Sequence, residues 1–207
     1  MHILSVITGD LYENSYIVYA TDSKNAVVID PGADAQKIIA KLDDRGLTVS
    51  YILLTHGHSD HIGAINEIKD KYGSKIVIHA ADADMLSTPM RNLSYFMGAP
   101  VQVYPADMTV KDGDELEVDG LKIKVLYTPG HSKGGVCYVI GDNIFTGDTL
   151  FKQSVGRTDF PDSSAQELEH SLHVVLGGLT GNYSIYSGHG PSSTLDEEKK
   201  YNPYMKR

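Results

Sequence analysis

The stretch that decides the fold is Tyr51-Ile52-Leu53-Leu54-Thr55-His56-Gly57-His58-Ser59-Asp60-His61. Its first four residues form an apolar run that predicts a buried strand, and this run ends abruptly in polar residues. Four side chains that can bind a metal then follow within six residues: His56, His58, Asp60 and His61. Neutral imidazoles suit zinc, iron or manganese, and a carboxylate adds charge that balances a divalent cation. The stretch therefore predicts a metal site at the end of a strand, directly before a helix.

Three further candidate ligands each follow an apolar run and a glycine-assisted turn. They are His131 in Thr128-Pro129-Gly130-His131, Asp148 in Thr146-Gly147-Asp148 and His189 in Ser187-Gly188-His189. Turns that leave the same edge of a sheet can bring their side chains to one site. The repeated order of strand, turn and ligand therefore predicts that these three residues join the first cluster.

The rest of the chain alternates predicted strands with predicted helices. Apolar and β-branched runs predict strands at residues 16–20, 26–29, 51–54, 75–78, 115–118, 122–127, 135–140, 143–145 and 184–186. Apolar positions at helical spacing predict helices at residues 34–45, 61–72, 163–176 and 195–200. This mixture, repeated in two similar halves, predicts two packed sheets with helices outside them. Between the halves, the Tyr95-Phe96-Met97 cluster predicts either a lid over a pocket or a packed loop.

Length and composition restrict the class of protein. The 207 residues are 41% hydrophobic, which fits one globular domain, and no linker divides residues 1–207. The net charge of −9 and the absence of any Lys/Arg cluster argue against a nucleic-acid partner. No apolar run approaches the roughly 18 residues of a membrane span, and the N-terminus does not resemble a signal peptide. We therefore expect a cytoplasmic protein that acts on a small molecule, with neither a nucleic-acid nor a membrane partner.

The order His-x-His-x-Asp-His, single His, Asp and final His resembles that of the metallo-β-lactamase superfamily. The likeness extends from the turn Asp30-Pro31-Gly32 to the tail Asn202-Pro203-Tyr204. It implies an α/β fold, the four-layer αβ/βα sandwich, with a dinuclear metal site between the two sheet edges. It further implies one metal held by His56, His58 and His131, a second held by Asp60, His61 and His189, and Asp148 bridging both.

Further stretches narrow this resemblance. Gly147-Asp148-Thr149-Leu150-Phe151, followed by Gly156-Arg157-Thr158-Asp159-Phe160, resembles glyoxalase II-like enzymes and their persulfide dioxygenase relatives. The ending Gly188-His189-Gly190-Pro191 resembles the compact bacterial glyoxalase II-like, or hydroxyacylglutathione hydrolase-like, proteins. A bridging Asp looks unlike the antibiotic-degrading members, and His58, the second histidine of the motif, looks unlike the flavodiiron proteins, which have Glu there. The resemblance does not include the C-terminal helical domain that binds glutathione in full-length glyoxalase II. The sequence therefore does not identify the thiol to which the acyl group of the substrate is joined.

The resemblance implies a dinuclear metal-dependent hydrolase, in which a hydroxide that bridges two divalent cations attacks a thioester or related ester. Zinc is the expected metal, with iron or manganese as alternatives. Asp60 is expected to be both ligand and proton acceptor for the bridging water. Arg157, which follows the metal loop, is the candidate to bind an anionic group of the substrate, although a surface ion pair is an equal alternative.

Other activities remain open at this point. One alternative is an iron-dependent persulfide dioxygenase that uses a similar scaffold. Others are a lactonase or phosphodiesterase of the same fold, and a metal-binding module without catalysis. His170 and His173 share a helix face, but no third ligand lies nearby in the sequence, so we expect a solvated or half-buried face there. The acyl group, the native metal and the oligomeric state are not fixed by the sequence.

Overall fold

The computed structural model describes residues 1–206, and its N-terminal half forms a six-stranded sheet. The strands lie side by side in sequence order: β1 (His2–Thr8), β2 (Glu13–Tyr19), β3 (Asn25–Ile29), β4 (Thr48–Leu53), β5 (Lys75–His79) and β6 (Met108–Val110). Strands β1 to β3 are antiparallel, whereas β3 to β6 are parallel. Helix α1 (Ala35–Asp43) connects β3 to β4, and the helices α2 (Ser59–Ile62) and α3 (Ile65–Tyr72) connect β4 to β5.

The C-terminal half forms a second six-stranded sheet. The elements of this half, in chain order, are β7 (Glu115–Val118), β8 (Leu121–Tyr127), β9 (Val136–Ile140), β10 (Asn143–Gly147), β11 (Leu150–Phe151), β12 (Ser154–Val155), helix α4 (Ala165–His170), β13 (Ser184–Ser187), β14 (Ser193–Thr194) and helix α5 (Leu195–Tyr201). Strands β11 and β12 form a separate two-stranded hairpin. The order across the sheet is β14-β13-β10-β9-β8-β7. A π-helical segment, Ser171–Leu176, continues α4.

Three apolar layers fill the spaces between the helices and the first sheet, between the two sheets, and between the second sheet and its helices. In β3, Val28 packs towards α1 and α3, while its neighbours Val27 and Ile29 pack towards the second sheet. Successive residues of a strand point to opposite faces, so one strand contributes to two layers. The third layer joins the second sheet to α4 and α5 through residues such as Leu168 and Leu195. The order helix, sheet, sheet, helix confirms the predicted αβ/βα sandwich.

The predicted helix at residues 61–72 is in fact two helices with a break at Gly63 and Ala64. The backbone at Gly63 lies against the Asp30-Pro31-Gly32 turn, where an added Cβ would be 2.4 Å from the Gly32 carbonyl oxygen. Next to it, the Ala64 amide donates to the Pro31 carbonyl at 3.0 Å. The break therefore arises from close packing between two loops, which helical periodicity does not reveal.

Several short or edge elements also differ from the prediction. The edge strand β1 and the two- or three-residue strands β6 and β14 were not predicted, and the helix predicted at 163–176 begins at Ala165. The strands of two or three residues, β6, β11, β12 and β14, do not repeat an alternating pattern often enough to be recognised. The seven-residue β1 is not short, and its largely apolar sequence could have been recognised. Within residues 1–206, no helix has the length and apolar character that crossing a membrane requires.

Candidate metal centre

Strand direction brings the predicted ligands to one edge of the molecule. Strand β9 is antiparallel to both β8 and β10, and β13 is parallel to β10, so β8, β10 and β13 run the same way. Their carboxyl ends lead to His131, Asp148 and His189 in turn. The end of β4, in the other sheet, leads directly to the remaining four predicted ligands, of which His56 and His58 lie in the loop after β4 and Asp60 and His61 in helix α2.

Hydrogen bonds join the two sheets along this edge. The Asn14 amide donates to the Gly188 carbonyl at 2.7 Å, and the Tyr16 hydroxyl donates to the Ser187 carbonyl at 2.6 Å. On the other side, the Val136 amide donates to the Thr55 carbonyl at 2.9 Å. The relative position of the four ligand-bearing turns is therefore set largely by the main chain.

The first group of candidate ligands consists of His56, His58 and His131. Their ligand atoms all lie within 4.8 Å of one another, and all three residues are buried. The closest pair is Nδ1 of His58 and Nε2 of His131, at 2.9 Å. Three imidazole nitrogens that face each other this closely form a nitrogen-rich site of the kind that divalent transition metals prefer.

The second group consists of Asp60, His61 and His189, again with ligand atoms within 4.8 Å of one another. The Asp60 Oδ2 atom lies 3.3 Å from His189 Nε2 and 3.8 Å from His61 Nε2. The first group thus takes two residues from the loop after β4 and the second takes two from helix α2, and each is completed by one residue that follows a strand of the second sheet.

Asp148 lies between the two groups. Its Oδ1 is 3.3 Å from Nε2 of His61 in the second group, and its Oδ2 is 3.5 Å from Nε2 of His131 in the first. The close approach is made possible by Gly188, where a Cβ atom would lie 2.4 Å from Asp148 Oδ1. All seven residues predicted as ligands are therefore brought together, and Asp148 has the position expected of a bridging carboxylate.

Asp30 supports the centre in a way that the sequence did not reveal. Its carboxylate accepts hydrogen bonds from the Thr55 amide at 2.7 Å and the Thr55 hydroxyl at 2.6 Å, and its Oδ2 lies 3.1 Å from Nδ1 of His61. Asp30 also lies within ligand distance of His56 and His61, so it could be counted as a third metal group. Because its oxygens already have these partners, we assign it the role of orienting His61, which leaves Nε2 of that ring free.

Other imidazoles are held in a similar manner by main-chain oxygens. Nδ1 of His131 donates to the Arg157 carbonyl at 2.8 Å, and Nδ1 of His189 donates to the Leu11 carbonyl at 3.1 Å. A carbonyl can only accept, so Nδ1 carries the proton in both rings and Nε2 is left as the lone-pair donor. Asp82 is a second buried carboxylate that no sequence pattern marked. It accepts a hydrogen bond from the Ser132 hydroxyl and so fixes the loop that holds His131.

The charge states of the cluster also suit a metal. Burial lowers the pKa of His58 to about 3, and burial likewise holds the pKa of His56 well below its usual value, so both rings are neutral. Burial alone would raise the pKa of Asp60, but His61 and His189 lower it below its ordinary range. In contrast, the carboxylates of Asp148 and Asp60 outweigh burial and raise the pKa of His61. The cluster therefore contains ionised carboxylates whose negative charge a bound cation would neutralise.

Unpartnered buried atoms show that the cluster fits a metal. Among residues 1–206, six buried side-chain atoms lack a hydrogen-bond partner, and three of them lie in this cluster: Nε2 of His56, Nε2 of His61 and Oδ1 of Asp148. Such atoms are costly unless something satisfies them. The concentration of three of the six in one cluster is explained by a bound cation, and nitrogen and carboxylate donors of this kind match zinc, iron or manganese.

A cavity of about 730 Å³ opens above these residues. Phe96 and Met97, from a short 3₁₀ helix at Ser94–Met97, line it with side chains that are 66% and 56% exposed, so this segment borders a pocket and is not a packed loop. Arg157 lies at the rim, and its Nη2 is 2.7 Å from Asp159 Oδ2 in an exposed ion pair. The position at the rim fits substrate binding, and the ion pair with Asp159 fits the alternative of a surface salt bridge. The role of Arg157 in substrate binding therefore stays a prediction.

The histidines at positions 79, 170 and 173 lie outside the centre. His170 is exposed and His173 is half-buried, as expected for a solvated or half-buried helix face, and within the described chain neither belongs to a group that could hold a metal. His79 stacks on the ring of Tyr127 at a centroid distance of 4.6 Å.

A four-layer sandwich with histidines and aspartates gathered at one edge of its two sheets is the arrangement expected of the metallo-hydrolase superfamily. Residues 8–189 match the family described as the metallo-beta-lactamase superfamily, and the chain belongs to that superfamily. Among curated relatives, it is 31% identical to the hydroxyacylglutathione hydrolase GloC of Haemophilus influenzae, over 98% of this chain and 97% of the relative. This relative supports the glyoxalase II-like resemblance.

Solved structures give the same fold. The chain is similar to BLEG-1, described as a B3 metallo-beta-lactamase, with 35% identity, a TM-score of 0.93 and 99% of both chains covered. It is also similar to TTHA1623, which was solved in a di-iron-bound form, with 32% identity, a TM-score of 0.85 and coverage of 97% and 99%. Divalent metals are thus expected at this edge, while their identity is not determined.

Proposed function

We propose that this protein is a dinuclear metal-dependent hydrolase that cleaves a thioester or a related ester. The observation that carries the proposal is the pair of ligand groups with the Asp148 carboxylate between them. One metal would be held by His56, His58 and His131, and the other by Asp60, His61 and His189. The similarity to a hydroxyacylglutathione hydrolase supports thioesters as the substrate class.

Bound divalent cations would polarise the scissile carbonyl and lower the pKa of water towards neutrality. Asp60 borders the cavity and its carboxyl is ionised, so it can accept a proton from a water molecule there. Of the described residues that line the cavity, every ionisable one is a candidate ligand or Arg157, so no spare general acid is available. A thiolate leaving group needs little acid assistance because thiols have a pKa of about 8.5.

Zinc is the metal that we propose, with iron or manganese as alternatives, because the donor set suits all three. The substrate is proposed to be a small molecule with an anionic group near Arg157, and the acidic balance of −9 argues against nucleic acid. A single domain over residues 1–207 and a cytoplasmic location also remain proposals.

A second candidate activity is hydrolysis of a β-lactam. The sequence resemblance pointed away from the antibiotic-degrading members, but the similarity to BLEG-1, at 35% identity and a TM-score of 0.93, favours including this substrate class. A β-lactam carbonyl would be attacked by the same water and would need the same cavity.

The test combines metal quantification with a substrate screen. Protein as isolated is analysed for metal and then assayed against thioesters, lactones, β-lactams and phosphodiesters, with oxygen uptake measured in parallel on a persulfide. We expect two metal ions per chain and the highest kcat/KM on a thioester. One iron per chain with oxygen consumption would instead establish the dioxygenase, and two metals with preferred β-lactam turnover would establish the second candidate.

A further inference from the structure

The cavity above the candidate metal centre is polar on its floor and apolar on its walls. The floor consists of the candidate ligands, such as Asp60, Asp148 and His189. The walls come from three separate segments and share an apolar character: Leu11, Leu93, Phe96, Met97, Phe151, Val155, Phe160 and Pro161. The volume of about 730 Å³ is that of a site for a small organic molecule.

Part of this apolar wall is exposed to solvent. Phe96, Met97 and Leu11 are 66%, 56% and 48% exposed, although they are large hydrophobic residues. Clustered apolar side chains around a pocket mark a binding surface, and covering them with an apolar group is favourable. Phe160, deeper in the cavity, packs edge-on against the His58 ring at 5.3 Å and so links the apolar wall to the candidate metal ligands.

Positive charge is scarce in the same cavity. Among the lining residues in the described part of the chain, Arg157 is the only lysine or arginine. Its side chain is 68% exposed and paired with Asp159, and its guanidinium lies over the Phe160 ring at 4.7 Å. The cavity can therefore hold one anionic group at its rim, whereas a peptide thiol such as glutathione brings two carboxylates and several amides.

We propose, building on the hydrolase function above, that the substrate carries an uncharged apolar group next to its scissile carbonyl and that the walls of this cavity bind it. The group is an aliphatic chain or an aromatic ring, and Phe96, Met97 and Phe160 contact it. It belongs either to the acyl half or to the thiol half of the substrate, and the chemistry that recognises it is the same in both cases.

Binding is measured first, without any turnover. Metal-loaded protein is titrated by calorimetry with N-methyl amides of acetic, butyric, hexanoic and octanoic acids, and separately with acetamides of amines of rising chain length. We expect the Kd in at least one series to fall about two- to four-fold per added methylene until the cavity is filled. A Kd that does not change with chain length in either series would overturn the proposal.

Turnover then locates the apolar group. One thioester series keeps N-acetylcysteamine as the thiol and lengthens the acyl chain, a second keeps the acetyl group and lengthens an alkyl thiol, and S-lactoylglutathione is the comparison substrate. A rise of kcat/KM along one series assigns the group to that half. S-lactoylglutathione hydrolysed faster than every neutral thioester would contradict the apolar assignment.

Two neighbouring aromatics provide a matched pair of variants. Phe96 lines the cavity, whereas Tyr95, which is 59% exposed and beside it in the same 3₁₀ helix, does not. Phe96→Ser is expected to lower the ratio of long-chain to short-chain kcat/KM about five-fold, and Tyr95→Ser to leave this ratio unchanged. Equal effects of the two substitutions would argue against an apolar subsite here.

Failure of this inference is distinguishable from failure of the hydrolase function. Thioester hydrolysis without any dependence on chain length removes the apolar subsite and leaves the hydrolase intact. Binding that tightens with chain length in a protein that hydrolyses none of the esters retains the subsite and removes the hydrolase.

Discussion

The two halves of the molecule supply the candidate metal centre in different ways. The first half contributes His56, His58, Asp60 and His61 from one continuous stretch, the loop after β4 and helix α2, whereas the second half contributes one residue from each of three turns. The rings from the first half are oriented partly by the buried carboxylate of Asp30, while those of His131 and His189 are fixed by main-chain carbonyls. Each group of ligands nevertheless draws on both halves, so a metal bound there would connect the two sheets.

The largest expected effect comes from removing the carboxylate that faces both groups. Asp148→Ala should lose metal from one or both positions and lower kcat/KM on the order of a thousand-fold, because several kcal/mol of charge stabilisation are lost. Metal content, circular dichroism and thioester hydrolysis are measured together. Asp142→Ala, in the exposed turn before β10, is the matched control and should retain both metals. An Asp148→Ala protein with full metal and full rate would remove Asp148 from the centre.

Metal removal should show that the two halves are connected. A ligand that binds only the folded state, at 100 times its Kd, stabilises that state by about 2.7 kcal/mol per site. For a chain of this length with two sites, we therefore expect dialysis against a chelator to lower the Tm by about 10–20 °C, and re-addition of zinc to restore it. Thermal melting followed by circular dichroism gives the measurement, and an unchanged Tm would mean that metal does not couple the sheets.

Orientation of His61 by Asp30 is expected to matter less than the ligands themselves. Residues that hold a metal ligand from behind typically change metal affinity by about 10- to 100-fold. Asp30→Asn should therefore weaken binding at the group formed by Asp60, His61 and His189 by that factor, as measured by competition with a chromogenic chelator. Asp34→Asn, four residues away on the surface in a pair with Lys37, is the control. Equal affinities in the two variants would count against the orienting role.

The smallest expected effect concerns the rim of the cavity. Arg157→Glu should raise the KM for an acidic thioester about five-fold and leave kcat nearly unchanged, because an exposed ion pair contributes about 1 kcal/mol at most. The exposed Lys152, which does not line the cavity, provides the control as Lys152→Glu. If both reversals change the KM equally, the effect comes from overall charge and not from a contact at Arg157.

Sequence patterns marked the seven side chains that the structure brings together, but not the residues that hold them in place, and the physical reason is distance along the chain. Each candidate ligand stands at the end of an apolar run, so a local pattern marks it even when its partners are 70 or more residues away, as for His58 and His131. Asp30 and Asp82 act through hydrogen bonds to Thr55 and Ser132, 25 and 50 residues away, and no local pattern marks such pairs.

Elements whose form depends on tertiary packing were also missed. The break between α2 and α3 comes from the contact of Gly63 with the Gly32 loop, and the exposure of Phe96 depends on which segments surround the cavity. The metal-ligand roles stay predictions until metal is measured. The contribution of Arg157 stays a prediction until the KM of its variant is measured.

The hydrogen bonds that join the sheets, such as those from Asn14 and Tyr16 to residues 187–188, have a consequence for how such a protein can diversify. They anchor the reactive edge to the scaffold, while the exposed segment around Phe96 borders the cavity from outside. Changing the length or sequence of that segment would therefore alter which molecule is admitted without displacing the candidate ligands.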